Sequence, residues 1–281
     1  IIPAIEVKMG MNAISDGMLK YLRETSIFVD EIANLNPNKR QPYVGDSAFA
    51  HKGGMHVNAV SKNPATFEHM NPEIVGNKRR VLISDLAGRS NIMMKIAEHN
   101  LSGASSEDVK EILNTLKEME NEGYEFEAAD ASFHLLAMKI LKKHSPFFEL
   151  NGFRVIIEKR DKDTPSYAEA TVKVEVNGEQ ELTAAEGDGP VNALDLALRK
   201  ALMRFYPSIK DVRLNDFKVR ILDGKDGTAA KTRVLIESGN SKNSWGTVGV
   251  SSDIIEASWE ALVDSVEFAL FKELEEKKKT K

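Results

Sequence analysis

The chain has 281 residues, of which 42% are hydrophobic and 29% charged, with a net charge of −5 and no cysteine. That length suits about two globular domains, the acidic balance disfavours nucleic acid or an anionic membrane as partner, and the lack of cysteine excludes disulfides, thiolate catalysis and zinc–sulfur sites. No apolar run approaches the ~20 residues of a membrane span, so a cytoplasmic protein with no membrane partner is expected.

Residues 1–14 show no clear period. Ser15-Asp16 then reads as a helix N-cap, followed by Leu19, Leu22, Val29, Ile32 and Ala33 at helical spacing, with Asn36-Pro37-Asn38 as the stop. Residues 41–64 read as a polar loop with Gly45, Gly53 and Gly54, and contain Phe49-Ala-His51-Lys-Gly53-Gly54-Met-His56-Val-Asn58. Val81 to Ile83 reads as a short strand, and Gly88-Arg89-Ser90-Asn91 as a turn opening a helix to about His99. A further helix starts at Ser105-Ser106-Glu107-Asp108, places Val109, Ile112, Leu113, Leu116 and Met119 on one face, and ends at Gly123. Asp130 caps a third, over 131–143, whose end carries Lys142, Lys143 and His144 where they suit the helix dipole. Ser145-Pro146 marks the domain boundary.

Beyond it one structural sentence occurs twice. Phe153-Arg-Val155-Ile-Ile157 is echoed by Phe217-Lys-Val219-Arg-Ile221, a displacement of 64 residues. Thr183, Ala193, Ala197 and Leu198 return at that displacement as Thr247, Ala257, Ala261 and Leu262. The middle strands, Ala170 to Val176 and Thr232 to Ser238, align best at 62, with two extra residues near Asn243-Ser244-Trp245 restoring the phase. Each copy reads as alternating strands followed by one helix. The first helix follows Gly187-Asp188-Gly189-Pro190, and the second follows the cap Ser251-Ser252-Asp253. Glu275 to Lys281 reads as a frayed, solvated tail.

Few residues group into chemistry. The histidines, at 51, 56, 69, 99, 134 and 144, form no His-x-His pair and no His-Glu-x-x-His helix, so no metal site is expected from local spacing. The glycine-rich stretch at His51 and His56 either brings one histidine to a carbonyl or a proton, or is a tight turn with two surface histidines. Gly187-Asp-Gly-Pro either binds a small anion such as an amino-acid carboxylate at a helix N-terminus, or is a turn and cap. Asp223-Gly-Lys-Asp226-Gly227-Thr228 reads as a hairpin turn, and Lys78-Arg79-Arg80 as a solvated edge.

Together these stretches resemble the C-terminal part of the α-isopropylmalate synthase and citramalate synthase family over essentially the whole chain. The resemblance is carried by Phe49-Ala-His51-Lys-Gly-Gly-Met-His56, Asn71-Pro-Glu-Ile-Val-Gly76-Asn, Gly88-Arg-Ser-Asn-Ile92 and Gly187-Asp-Gly-Pro-Val191. Trp245-Gly-Thr-Val-Gly249-Val-Ser and Ile255-Glu-Ala-Ser-Trp259 complete the set, and the details look most like the citramalate synthase branch, which joins acetyl-CoA to pyruvate.

The resemblance implies an α+β chain: mostly helical linker subdomains over 1–145, then a duplicated β-β-β-α regulatory domain over 147–281. A catalytic TIM barrel with the divalent metal and the 2-oxo acid site is expected to precede Ile1-Ile2-Pro3, so this part alone is expected to be inactive and to hold no cofactor. The linker of one subunit is expected to reach the partner's barrel in a homodimer, with His56 assisting catalysis. The family's neighbouring tyrosine position holds Phe67 here, which removes the hydroxyl. The resemblance further implies that an end-product amino acid binds allosterically at Gly187, Asp188, Gly189, Val191, Asp226 and Thr228. Isoleucine is the expected effector, with leucine and isopropylmalate synthesis as the alternative; an autonomous amino-acid-binding dimer without catalysis is a further one.

Overall fold

The protein is seen in a computed structural model that describes residues 1–35, 37–82, 88–99, 101, 103–222, 227, 229–241 and 243–279. The chain is α+β and divides into two compact units, Ile1–Leu113 and Asn114–Lys281.

In the first unit a π-helical turn, Ala4–Lys8, precedes a 3-10 turn, Leu19–Tyr21, that runs into helix α1, Leu22–Ile32. The helix therefore starts later than Ser15-Asp16 implies, and no side chain caps it. It also stops before Asn36: Asn34 turns left-handed at φ 54°, and Leu35 N–H returns to Asp30 O at 2.8 Å, a Schellman closure. Strand β1, Ala50–His51, pairs in parallel with β2, Arg80–Val81. Between them lies helix α2, Gly54–Lys62, where the sequence reads as a loop. The Gly53-Gly54 pair hides its start, yet Gly53 is its extended N-cap, and Val57 and Val60 are buried one helical turn apart. Glycine at 54 lets α2 pass close to the backbone at Gly88, since a β-carbon would sit 3.2 Å from Gly88 N, a tight contact.

Short 3-10 turns follow at Pro64–Thr66 and Pro72–Val75, each capped by the asparagine before its proline. The second ends at Gly76, where φ is 73° and an added β-carbon would lie 2.1 Å from Lys20 O, which excludes a side chain. Buried Asn77 then donates to Tyr43 O and Gly45 O, both at 2.9 Å, tying down the segment before β1. Helix α3 is Arg89–Glu98 and helix α4 is Ser106–Glu122, within which the two units divide.

The second unit holds helix α5, Asp130–Ile140, and then β3 (Glu149–Glu158), β4 (Tyr167–Val176), β5 (Glu179–Gly187) and α6 (Pro190–Met203). These are followed by β6 (Arg213–Ile221), β7 (Thr232–Gly239), β8 (Ser244–Ser251) and α7 (Ile254–Lys279). The strands form two antiparallel sheets, ordered β3-β4-β5 and β6-β7-β8. On β4 strict alternation buries Ala168, Ala170, Val172, Val174 and Val176 against α6. The same core takes in Val234 and Ile236 of β7 and Ala257, Ala261 and Leu262 of α7.

Register corrects the offset of the middle strand. Phe153 faces Val172, which faces Thr183; Phe217 faces Ile236, which faces Thr247. Corresponding sheet positions thus lie 64 residues apart on all three strands, with no insertion at 243–245. Because strand side chains alternate with period 2, displacements of 62 and 64 give the same inside–outside pattern, and only hydrogen bonding separates them. Both sheets also carry a bulge at the same place, Leu150/Gly152 and Leu214/Asp216.

Helix α5 packs on β8 and α7, so Ser145-Pro146 lies inside the second unit. The helix ends at Ile140 and Lys142 turns left-handed at φ 54°, so His144 is not part of its last turn. The tail is helical to Lys279, helped by ion pairs Lys272–Glu275 and Lys277–Glu273 at i,i+3 and i,i+4.

Candidate functional site

In the first unit, His56 is the third residue of α2, exposed, with its ring stacked on Phe67 at 4.1 Å between centroids and 23° between planes. Phe67 follows the Pro64–Thr66 turn, and the residue after it, Glu68, is buried. Arg79 grips Glu68 with Nε to Oε1 and Nη2 to Oε2, both at 2.6 Å, and His51 Nε2 lies 3.0 Å from Oε1. Burial pushes the Glu68 carboxyl up, but the bonds from Arg79 and His51 outweigh it and hold it below the usual glutamate range. An ionised carboxylate only accepts, so Nε2 of His51 carries the proton. His51 therefore does not face the same chemistry as His56: one is an internal strut, the other an exposed ring.

In the second unit, Gly187, Asp188, Gly189 and Val191 come together at the junction of β5 with α6. A β-carbon at Gly187 would lie 2.4 Å from Ala193 N, so the chain turns there only as glycine. Gly189 is the N-cap and offers no side chain to the helix, while Asn192, one turn in, accepts from Asp188 N–H at 3.1 Å. The corresponding helix start in the other half is closed by its own side chain, since Asp253 Oδ1 accepts from Ile255 N–H at 2.7 Å. One helix end is thus capped internally and the other presents its first N–H groups and positive dipole end at a glycine loop. Asp226 and Thr228 lie outside the described residues.

Three carboxylates on one stripe of α7 escaped sequence reasoning. Glu260 accepts from Tyr124 O–H at 3.0 Å and from Val250 N–H at 3.0 Å, and Asp264 from Ser132 Oγ at 2.6 Å. Glu267 accepts from Phe147 N–H at 2.9 Å, and its other oxygen lies 3.2 Å from His144 Nε2. Burial raises the Asp264 carboxyl and pushes Glu267 up to about 7, while burial and nearby Lys139 lower His144. Both partners of the His144–Glu267 contact therefore favour their neutral forms. The Tyr124 hydroxyl is raised out of its ordinary range by burial beside Glu260. Among the described residues no group of three or more His, Asp or Glu side chains converges to hold a metal ion, and no helix is long and apolar enough to cross a membrane.

Residues 127–270 match the LeuA allosteric (dimerisation) domain family, and residues 43–124 match the homocitrate synthase post-HMGL domain-like family. The chain is 57% identical over 282 residues to (R)-citramalate synthase of Geobacter sulfurreducens, covering 99% of this chain and 53% of that protein. It is 50% identical to the (R)-citramalate synthase of Aquifex aeolicus, over 98% of this chain and 52% of that one. The corresponding figures for Synechocystis sp. are 49%, 96% and 50%. The chain thus spans about half the length of the curated relatives it matches. With the first match covering the two sheets and their helices, the chain belongs to the LeuA allosteric (dimerisation) domain family.

Proposed function

We propose that this chain is the linker and feedback-regulatory part of an acetyl-CoA-dependent acyltransferase of the (R)-citramalate synthase type. The observation that carries the reading is the ordered pair of domain matches with 57% identity across 99% of the chain. The full-length reaction joins the acetyl group of acetyl-CoA to pyruvate, and the thioester is then hydrolysed. His56, exposed on α2, serves there to orient the acetyl carbonyl or to pass a proton. The likeness to (R)-citramalate synthases over about half their length supports assigning the divalent metal to a TIM barrel of the full-length enzyme; among the described residues no three His, Asp or Glu side chains converge to hold one.

We read the two sheet–helix halves as copies of one β-β-β-α unit. Support comes from the constant 64-residue displacement of register and bulges, and from one repeated buried bond. Thr183 Oγ1 donates to Ala197 O and Thr247 Oγ1 to Ala261 O, both at 2.7 Å. Exposed Ile156, Ile157 and Leu182 on the first sheet, and Val219 and Ile221 on the second, supply apolar surface for a second copy in a homodimer.

The uncapped start of α6 is the effector site in this reading, with isoleucine, the end product of the pathway, as ligand. An amino-acid carboxylate would take the place that Asp253 Oδ1 fills at the start of α7. Binding there inhibits through a coupling on the order of 1–3 kcal/mol between effector and active sites. The test is twofold: incubation of residues 1–281 with acetyl-CoA, pyruvate and a divalent metal, and titration with branched-chain amino acids. No product and isoleucine binding support the reading. Product formation by this chain alone would overturn it.

A further inference from the structure

The network around Glu68 has a shape that a plain surface ion pair does not need. Its carboxylate is nearly sealed, at 3% side-chain exposure, whereas Arg79 is a third exposed. It is held from two directions by residues flanking the β1–β2 pair. His51 ends β1, and Arg79 immediately precedes β2. Past His51 the chain runs through Lys52 and Gly53 into α2, and Asn91 Nδ2 donates to Lys52 O at 3.0 Å, anchoring that approach. On the other side Glu68 is bonded to Phe67 through one peptide, and Glu68 N–H returns to Pro64 O at 2.9 Å, so Phe67 has little freedom to shift by itself. The two arms meet again where Phe67 stacks on His56.

The result is a closed ring of contacts: His56, Phe67, Glu68, His51 and back along the chain to His56, with Arg79 bracing Glu68 from outside. Phe67 is half exposed and His56 exposed, so burial does not fix either ring. The stack, the Pro64 turn and the clamp behind them hold the rings instead. A two-pronged arginine–carboxylate bond is short, directional and hard to replace by a point charge. Catalytic geometry requires such support, because a group displaced by about 1 Å can cost on the order of 100-fold in rate.

We propose that Glu68 is a positioning residue: clamped between His51 and Arg79, it fixes the Phe67 ring on which His56 stacks and so sets how His56 meets its substrate. The proposal rests on the reading of His56 as a catalytic aid, and its two arms of test fail separately. The first uses residues 1–281 labelled at histidine. Ring current from Phe67 displaces the His56 ring proton signals, and Phe67→Leu measures that displacement. Glu68→Ala is expected to lose more than half of it with the fold retained, and Arg79→Lys, which keeps the charge and loses the fork, a smaller share. Arg23→Met, which breaks the separate Arg23–Asp46 pair in the same unit, is expected to leave the His56 signals in place. Where Glu68→Ala does not fold, Arg79→Lys and Glu68→Gln decide. Unmoved His56 signals in a folded clamp variant would overturn the proposal, as would signals that move equally in Arg23→Met.

The second arm uses the full-length enzyme. Glu68→Gln is expected to lower kcat on the order of tenfold with KM nearly unchanged, and unchanged kcat would overturn the proposal. If His56→Ala leaves kcat intact, the catalytic reading of His56 fails, whatever the spectra show.

Discussion

Glu267→Gln should change how the second unit responds to pH. The carboxyl sits on α7 at 5% side-chain exposure, and the groups facing it are His144 after α5, Lys139 on α5, Asp264 on its own helix and Tyr206 after α6. Burial lifts it from an ordinary 4.5 to about 7, a difference worth about 3 kcal/mol at ~1.4 kcal/mol per unit. Because the folded value is raised, the folded protein holds a proton that the unfolded chain releases between those two values. The stabilisation is therefore complete below pH 4.5 and is lost as pH rises through about 7. His144, lowered by burial and by Lys139, works the other way: its contribution is present above its unfolded value and fades as pH falls through the folded one. The Gln variant removes the first contribution and leaves the second.

Wild type minus variant, measured at each pH, isolates Glu267. It should grow by about 3 kcal/mol between pH 8 and pH 4.5, with Gln the better tolerated residue at pH 8. Urea unfolding followed by tryptophan fluorescence is the assay, since both tryptophans of the chain, Trp245 and Trp259, lie in the second unit. A difference that stays constant from pH 5 to pH 8 would show that Glu267 titrates like a solvated glutamate and refute the reasoning.

Other predictions follow from the paired geometry. Thr183→Val and Thr247→Val each remove one buried hydroxyl-to-carbonyl bond of equal length, so each should cost about 1 kcal/mol in the same unfolding assay. Gly246→Ala places a β-carbon 1.7 Å from Ala128 O and should cost roughly 3 kcal/mol or prevent folding of the second unit, read by circular dichroism and melting. Asp253→Ala removes the cap of α7 and should cost about 1 kcal/mol. Gly189→Asp puts a cap where α6 has none; it should weaken effector binding by calorimetry without loss of melting temperature.

The 64-residue displacement was legible because Phe153/Phe217, Thr183/Thr247 and the helix alanines stand at it. The middle strand was not, because the alternation of β4 and β7 looks the same two residues out of step. Helix α2 was hidden by Gly53-Gly54, which local preference reads as a break; its close approach to Gly88 is a tertiary fact. Glu260, Asp264 and Glu267 look like the wet side of an amphipathic helix. Their spacing does place them on one stripe, but only the hydroxyls and N–H groups of Tyr124, Ser132 and Phe147, more than a hundred residues away in sequence, make that stripe an interior one. Gly187 to Val191 were readable as a helix start, whereas the contrast with the self-capped Asp253 needed the structure.

Calorimetric titration of residues 1–281 with isoleucine, leucine and valine tests the central claim most directly. Saturable binding is expected, with isoleucine tightest and its binding weakened by Gly189→Asp. Tighter binding of leucine would assign the chain to isopropylmalate synthesis, and no binding of any of the three to the folded protein would contradict its reading as a feedback-regulatory part.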